Sequence, residues 1–389
     1  MSSRPEASPV LIPYGRQCID EADIRGVADI LRSDFLTTGP KIAEFEEAVA
    51  NYSSAAYGVA VNSGTAALHC AMYALEIGPG DEVIVPPLTF AATANCVLYL
   101  GARPVFADVR PDTLLIDPNE VERQITPRTK AIITVDYAGH PCDYDTLRSI
   151  ANRRGIALVS DACHSLGGAF KGRRVGSLAD ITCFSFHPLK HLTTGEGGMA
   201  VTDDSNLAKR MRAFRSHGIS TDATTRERKG VWYYEMVDLG FNYRLTDIQC
   251  ALGLSQLTKQ YRWLERRREI AMTYDLAFSR MPGLSPLAVL PDVTHAWHLY
   301  VVRLDGPTIR DLIFADLRRK GILVNVHYIP VHLHPYYREK LGTGPGLCPV
   351  AEKAFEGLLS LPMFPGLGKT DQERVVAALS ESMSAYRGE

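Results

Sequence analysis

Short apolar runs alternate with longer amphipathic stretches between about residue 56 and residue 205. A short run rich in β-branched residues predicts a buried strand, and apolar residues three and four positions apart predict a helix. Residues 144–154 show the helical spacing through Leu147, Ile150 and Ala151. This alternation is typical of βαβ units, so we predict an α/β fold with a mainly parallel sheet and helices on both faces.

Seven apolar runs are predicted to be strands of this sheet, and four stretches between them are predicted to be its crossover helices. The predicted strands are 58–61, 82–86, 104–109, 131–135, 156–160, 181–186 and 199–202. The predicted helices are 65–75, 93–100, 118–125 and 144–154.

The second half of the chain has a different pattern. Residues 217–235 contain a polar, aperiodic run that is too long for a routine connection, so we predict a mobile loop. A helical pattern from residue 246 to about 278 follows, and its run Arg266-Arg267-Arg268 between glutamates predicts a solvated face. The remaining pattern predicts a smaller α/β unit with strands at 298–304 and 323–326 and helices at 309–320 and 371–386.

A chain of 389 residues fits about two domains on the usual scale of ~100–200 residues each. We predict a large domain at 1–255 and a small C-terminal domain at 256–389. The formal charge of −2, with 46% apolar and 22% charged residues, is typical of an ordinary globular protein. The absence of a basic excess argues against nucleic-acid and membrane partners.

Export, membrane insertion and metal binding are not indicated. The first ten residues lack the apolar core of a secretory signal, and no apolar stretch reaches the ~18 residues of a membrane span, so we expect a cytoplasmic protein. The eight cysteines are scattered without Cys-x-x-Cys pairs and are interpreted as reduced, mostly buried thiols. His327, His332 and His334 have no carboxylate close by in sequence, so no metal site is predicted.

Lys190 follows an apolar strand and is a candidate covalent anchor. Asp161 ends the run 156–160, at the sheet edge where ligands collect in open α/β folds. An amine and a carboxylate at these strand ends suggest pyridoxal phosphate, whose aldehyde bonds an amine and whose pyridinium nitrogen pairs with an acid. A surface lysine and a helix-capping aspartate are the alternative interpretations of the two residues taken singly.

Four further positions suggest contacts with the same cofactor. The small-residue turn 62–68, between a strand and a helix, offers backbone N–H groups to a phosphate, although a simple N-cap by Ser63 or Thr65 is the alternative. Ser185 is a candidate donor to that phosphate. Phe90 can lie on the pyridine face, with an ordinary core aromatic as the alternative. His164 can contact the 3-hydroxyl group, with a merely structural histidine as the alternative.

Four ordered motifs resemble the DegT/DnrJ/EryC1/StrS family of nucleotide-sugar aminotransferases from about residue 12 to the C-terminus. They are Asn-Ser-Gly-Thr-Ala-Ala-Leu at 62–68, Asp-Ala-Cys-His-Ser-Leu-Gly at 161–167, Ser-Phe-His-Pro-Leu-Lys at 185–190 and Gly-Phe-Asn-Tyr-Arg-Leu-Thr-Asp at 240–247.

The resemblance implies a fold-type-I pyridoxal phosphate enzyme in which Lys190 carries the cofactor and Asp161 pairs with the pyridine nitrogen. Phe90 would stack on the ring, and a set of three residues would hold the phosphate: Gly64, Thr65 and Ser185. Asn242 matches a position that reaches the neighbouring subunit's cofactor phosphate, which implies a homodimer with two shared sites. His164 occupies a position that is commonly glutamine in the family.

Within the family, residues 135–139, 214–218 and 326–330 are most similar to the UDP-4-amino-4,6-dideoxy-N-acetyl-β-L-altrosamine transaminases of pseudaminic acid biosynthesis. The similarity implies transfer of an amino group from L-glutamate to C4 of UDP-2-acetamido-2,6-dideoxy-β-L-arabino-hexos-4-ulose by a ping-pong mechanism. It also implies that Tyr14, Thr37 and His327 line the sugar pocket and that the loop at 226–229 approaches the diphosphate.

Several alternatives are open from the sequence. The substrate of the implied aminotransferase is a UDP sugar or another 4-keto-6-deoxy sugar, of the GDP-perosamine or dTDP-amino sugar type. The sugar 3-dehydratases of the same family carry histidine at the anchoring position, so Lys190 argues against that branch. A non-catalytic pyridoxal-phosphate-binding regulator would need a DNA- or partner-binding module, and no basic helix-turn-helix segment is present.

Overall fold

The structure, a computed structural model, describes residues 11–220, 226 and 230–386. The first half contains, in chain order, α1 (Glu21–Leu31), α2 (Pro40–Tyr52), β1 (Tyr57–Val61), α3 (Gly64–Ala74), β2 (Glu82–Val85), α4 (Ala92–Leu98), β3 (Arg103–Phe106), α5 (Pro118–Gln124), β4 (Thr129–Val135), α6 (Tyr144–Arg154), β5 (Ala157–Asp161), β6 (Ala169–Phe170), β7 (Arg173–Arg174) and β8 (Ile181–Ser185). The second half contains β9 (Gly198–Thr202), α7 (Ser205–Arg215), α8 (Asp247–Leu257), α9 (Gln260–Phe278), β10 (Leu284–Pro286), β11 (Val293–Thr294), β12 (Tyr300–Leu304), α10 (Pro307–Arg319), α11 (Pro335–Leu341), α12 (Pro349–Gly357), β13 (Leu358–Leu361) and α13 (Lys369–Tyr386).

The central sheet has seven strands in the order β1-β9-β8-β5-β4-β2-β3. Neighbouring strands from β8 to β3 pair in parallel, whereas β9 is antiparallel to both β1 and β8. Every residue of β2 and β9 is buried, as expected for strands that helices cover on both faces. The carboxyl ends of all strands except β9 therefore meet at one edge, where ligands bind in open α/β sheets.

All seven strands predicted for this sheet are present, and the predicted fold class is confirmed. The third strand is shorter than predicted, because it ends at Phe106 rather than at residue 109. The chain leaves the sheet there, and Asp108 accepts hydrogen bonds from the backbone N–H groups of Val350 and Ala351 at the start of α12.

A second apolar cluster is built around the antiparallel sheet β10-β12-β13 and the helices α9, α10 and α13. Ile12, from the N-terminal arm, packs in this cluster and exchanges backbone hydrogen bonds with Gly321 and Leu323 at 2.9 and 2.8 Å. The domain boundary between residues 255 and 256 stays a prediction.

The predicted strand at 323–326 is wrong. Only Asn325 pairs with Ser360 of β13, by two backbone hydrogen bonds of 3.2 and 2.7 Å, before the chain diverges from the sheet. The strand that pairs with β12 is β13 instead, which the sequence pattern did not predict. Residues 326–328 leave the sheet because they turn into the cavity described below.

The single helix predicted from residue 246 to 278 is also wrong, because the structure contains two helices, α8 and α9, separated by Thr258 and Lys259. Nζ of Lys259 donates hydrogen bonds to Asp20 and Asp23 at 2.5 and 2.7 Å, which ties the break to the start of α1. Most of the predicted polar loop, 221–225 and 227–229, lies outside the described residues.

All eight cysteines are free, and six of them are buried, as the sequence predicted. No helix within the described ranges is long and apolar enough to cross a bilayer.

Candidate active site

A cavity of about 760 Å³ opens at the carboxyl edge of the central sheet. Nine of the candidate residues named from the sequence line it: Tyr14, Gly64, Thr65, Phe90, Asp161, His164, Ser185, Lys190 and His327. The sheet topology brings them together, because the turns after β1, β2, β5 and β8 all lie at this edge.

Lys190 is half-buried in the loop after β8, and its backbone N–H donates to the carbonyl of His187 at 2.8 Å. Burial lowers the pKa of the Lys190 amine, while nearby Cys163 and Asp161 oppose that shift. A lysine with a lowered pKa is neutral more of the time, and the neutral amine is the form that attacks an aldehyde.

Asp161 ends β5 with its carboxylate buried against the first turn of α4. Oγ1 of Thr93 donates to Oδ2 of Asp161 at 2.7 Å, and the N–H of Cys163 donates to Oδ1 at 3.2 Å. These donors stabilise the charged carboxylate and fix its orientation. Thr93 was missed as a site residue, although its place at the start of a helix after β2 puts it at the same sheet edge.

The turn after β1 is shaped for a compact anion. Ser63 caps α3 by accepting from the N–H of Ala66 at 3.1 Å, so its capping interpretation is confirmed. The helix begins at Gly64, and its first N–H groups have no intrahelical partners. A Cβ on Gly64 would lie 2.9 Å from Cβ of Ser185 and 3.1 Å from Sγ of Cys163, so glycine permits the close approach of this turn to β8.

Aromatic rings enclose the middle of the cavity. The Phe90 side chain is 63% exposed, so its interpretation as an ordinary core aromatic is wrong, and its ring centroid lies 6.3 Å from that of Tyr328. Nε2 of His164 lies 3.1 Å from the hydroxyl oxygen of Tyr328. Burial is the main cause that lowers the pKa of His164 well below its ordinary value, so this imidazole is neutral.

Tyr14 and His327 lie together at one wall of the cavity, with ring centroids 5.5 Å apart. Nδ1 of His327 lies 2.8 Å from Oγ of Ser360, and burial lowers the pKa of His327 to about 4. Burial raises the pKa of Tyr14, against a hydrogen bond with Asn325. No group of three or more metal-ligating side chains occurs in the ranges 11–220, 226 and 230–386.

Thr37 and Asn242 are exposed and do not line the cavity of this chain. Asn242 forms a backbone bridge with Ser216, and the next residue, Tyr243, accepts a hydrogen bond from the N–H of Asn62 at 2.8 Å. The Asn242 side chain is thus placed on the surface close to the turn that begins α3.

Lys190 is the one lysine or arginine among the described residues that line the cavity. Its neighbours His164 and His327 are neutral because burial lowers the pKa of both. An amine of lowered pKa, a fixed carboxylate and a helix N-terminus around one cavity define a fold-type-I pyridoxal phosphate transferase.

Comparison with known proteins identifies the family. The sequence profile of the DegT/DnrJ/EryC1/StrS aminotransferase family matches residues 17–380. The chain is 42% identical to the spore coat polysaccharide biosynthesis protein SpsC of Bacillus subtilis over 375 residues, which cover 95% of this chain and 96% of that protein.

Solved structures agree over the whole fold. Spr1654 of Streptococcus pneumoniae, assigned as a sugar aminotransferase and solved in its PMP-form, has a TM-score of 0.92 and 36% identity over 96% of this chain and 99% of that chain. PseC of Helicobacter pylori, an aminotransferase involved in the biosynthesis of pseudaminic acid, has a TM-score of 0.90 and 33% identity over 97% of this chain and 100% of that chain.

The chain therefore belongs to the DegT/DnrJ/EryC1/StrS aminotransferase family. It is a sugar aminotransferase that uses pyridoxal phosphate, and Spr1654 has also been solved in its PLP-form. The predicted family, enzyme class and cofactor are confirmed. The residues fit this cofactor, because the turn at Gly64 has no room for a Cβ beside Ser185 and the carboxylate of Asp161 is fixed by two donors.

The fit of the Gly64 turn gives a direct test. We expect Gly64→Ala to weaken pyridoxal phosphate binding by at least about tenfold, about 1.4 kcal/mol, because the new Cβ displaces Ser185. The dissociation constant is measured by titrating apoenzyme with the cofactor. Gly78→Ala is the matched control, since a Cβ there meets nothing within 4 Å. Equal dissociation constants for the two variants would contradict the assignment.

Proposed function

We propose that this enzyme transfers an amino group from L-glutamate to C4 of a UDP-4-keto-6-deoxy-N-acetylhexosamine, UDP-2-acetamido-2,6-dideoxy-β-L-arabino-hexos-4-ulose. The observation that carries the catalytic part is the amine of Lys190, whose pKa is lowered by burial, in one cavity with the fixed carboxylate of Asp161. When bound, pyridoxal phosphate supplies an aldehyde that bonds amines and a cationic ring that withdraws electrons from a neighbouring carbon.

In this proposal Lys190 is the catalytic residue. Once its amine is free, Nζ removes the proton from Cα of glutamate and later delivers a proton to C4 of the sugar. Glutamate leaves as 2-oxoglutarate before the sugar binds, so the kinetics are ping-pong. Water must be kept from the reacting carbon, and the rings of Phe90 and Tyr328 at the middle of the cavity serve that purpose.

The other cavity residues bind and orient the cofactor. Asp161 holds the pyridine nitrogen protonated, Phe90 covers one ring face, and His164 contacts the 3-hydroxyl group. Gly64 and Thr65, at the N-terminus of α3, bind the phosphate together with the hydroxyl group of Ser185.

The sugar assignment is supported by similarity and by size. PseC, an aminotransferase involved in the biosynthesis of pseudaminic acid, is similar over 97% of this chain. A cavity of about 760 Å³ accommodates a cofactor together with a sugar, since ligand sites commonly span about 300–1,000 Å³. In this proposal Tyr14, Thr37 and His327 contact the sugar.

We further propose a homodimer in which Asn242 reaches the partner's cofactor phosphate. The side chain of Asn242 is exposed, and the segment around it carries a concentration of exposed apolar residues: Val231, Trp232, Tyr233, Tyr234, Met236, Val237, Leu239 and Phe241. A concentration of exposed apolar side chains of this kind is typical of a protein interface. A second subunit would cover it and complete each site.

Lys190→Ala tests the catalytic role. We expect the variant to bind the cofactor without a covalent link and to lose about 10⁴-fold or more in turnover, because it lacks both the anchor and the proton carrier. The assay follows 2-oxoglutarate formed from L-glutamate and the visible absorbance of the bound cofactor. Near-normal turnover by purified Lys190→Ala would contradict the role.

Subunit mixing tests the shared sites. Lys190→Ala and Asn242→Ala are each expected to be inactive as homodimers. In a mixed dimer one site has both native residues, so mixing equal amounts should recover up to about a quarter of wild-type activity. Native mass spectrometry confirms that subunits exchange. Exchange without recovery of activity would contradict the contribution of Asn242 across the interface.

A substrate panel tests the sugar. Purified enzyme with L-glutamate is offered UDP-, dTDP- and GDP-linked 4-keto-6-deoxy sugars, and each amino-sugar product is identified by mass spectrometry and NMR. We expect product from the UDP-linked N-acetylated sugar. Product from only a GDP or dTDP sugar would overturn the sugar assignment while leaving the aminotransferase class intact.

A further inference from the structure

His298 is a cavity residue that none of the cofactor contacts uses. Its side chain is 7% exposed, and its Nδ1 is buried without a hydrogen-bond partner among the described residues. The imidazole packs on that of His164, with ring centroids 4.3 Å apart. No ring nitrogen of His298 has a hydrogen bond among the described residues, and polar groups in buried imidazoles are costly to leave unpaired, so an imidazole that lines the cavity with Lys190 points to a ligand.

The backbone around His298 is held in place from both sides. The N–H of Leu299 donates to the carbonyl of Ala138 at 3.1 Å, and that of Ala296 donates to Gly139 at 2.8 Å. A Cβ on Gly139 would lie 2.9 Å from the backbone nitrogen of His298, so the two segments are in close contact. The imidazole is therefore carried by a fixed segment.

Arg267 supplies an unusual charge next to this segment. Arg267 is 2% exposed, so the solvated face predicted for residues 266–268 is wrong at this residue, whereas Arg266 is half-buried and Arg268 is exposed. Nη1 donates to the carbonyl groups of Trp297, His298 and Met363 at 3.1, 3.3 and 3.0 Å. Within the described part of the chain no carboxylate forms an ion pair with Arg267, so its positive charge is not neutralised by an acid.

The charge states of Arg267 and His298 follow mainly from their burial. Burial lowers the pKa of Arg267 to about 10, so the guanidinium stays charged at neutral pH. Burial, followed by the positive fields of neighbours that include Lys190 and Arg267, lowers the pKa of His298 well below its ordinary value. A neutral imidazole with one N–H thus lies in a positive potential.

An N–H donor in a positive potential suits a small anion close to the Lys190 amine. The amino donor carries one, because the carbon that bears its reacting nitrogen also bears a carboxylate. The reacting C4 of a neutral sugar ring has no such group beside it. The charge around His298 therefore favours the amino acid over the sugar as its ligand.

We propose that His298 is a substrate-binding residue that donates a hydrogen bond to the α-carboxylate of the amino donor, with Arg267 behind it as a positioning residue. The inference rests on the proposed function in that it assigns a subsite for glutamate within the same cavity. It does not depend on the identity of the nucleotide sugar.

The test compares His298→Phe, which keeps a ring against His164 but has no N–H, with His298→Gln, which keeps a donor. Binding is read on the holoenzyme with 2-methylglutamate, which lacks a Cα proton and so reports binding by a shift of the cofactor absorbance without turnover. We expect His298→Phe to weaken that binding, and to raise the half-saturating L-glutamate concentration, by about tenfold to a hundredfold. His298→Gln should recover most of the affinity.

The reverse half-reaction with the amino sugar is the internal comparison, and its half-saturating concentration should be unchanged in His298→Phe. His140→Phe is the matched control, because His140 is also buried and bonds backbone groups outside the cavity. Arg267→Gln should weaken 2-methylglutamate binding and Arg267→Lys should restore it, with thermal unfolding followed in each.

Unchanged binding of 2-methylglutamate by His298→Phe, or an equal loss for amino acid and amino sugar, would overturn the subsite. Failure of the wild-type enzyme to react with L-glutamate would instead refute the proposed donor. In that case the same variants are compared with L-glutamine and L-alanine, which share the α-carboxylate, so the subsite is still tested.

Discussion

The active site depends on the close packing of the ends of β1 and β8 on either side of β9. Gly198, the first residue of β9, pairs with Val61 in β1 and with Ser185 in β8. A Cβ on Gly198 would lie 2.4 Å from the carbonyl oxygen of Ser63, so only glycine fits there. This pairing places the turn that begins α3 beside the loop that carries Lys190. The register of β9 with β1 and β8 thus sets the distance between the turn at Gly64 and the loop that carries Lys190.

Burial then decides which groups in the cavity are charged. Burial lowers the pKa of Lys190 and of the histidines around it, so the imidazoles are neutral and the amine more readily loses its proton. The carboxylate of Asp161 accepts hydrogen bonds from Thr93 and from the backbone N–H of Cys163, which compensate for contacts with water and fix its orientation. A neutral base and a fixed acid can therefore coexist in one cavity.

The central sheet and the residues at its carboxyl edge can be predicted from the sequence for a physical reason. Residues 82–86, 156–160 and 181–186 are short apolar runs, which helices cover on both faces, and their polar followers must meet at one edge of a parallel sheet. The positions of Asp161 and Lys190 in the cavity follow from that rule together with the family motifs.

The features that the sequence did not predict depend on contacts between distant segments, which a local sequence pattern does not indicate. Strand β13 follows α12 directly, and its pairing with β12 is set by packing over a long sequence separation. Arg267 lies in a run of three arginines, and helix geometry turns only one of adjacent residues toward the core. His298 was interpreted as the start of a predicted strand, because its packing on His164 arises only when two distant segments meet.

The few positive charges near the cavity limit which anionic ligand groups its described residues can pair with. Lys190 is the one lysine or arginine that lines the described cavity, and its role as anchor and base leaves it unable to pair with a substrate anion. A nucleotide sugar brings a diphosphate and glutamate brings two carboxylates, and anions in a cavity of low polarity need fixed donors or opposite charge. Arg267 reaches the cavity only through the field it exerts on His298. The described cavity residues therefore supply groups that suit the cofactor, whereas the diphosphate of the proposed substrate would need donors from outside this set, which agrees with the proposal that each site is shared between two subunits.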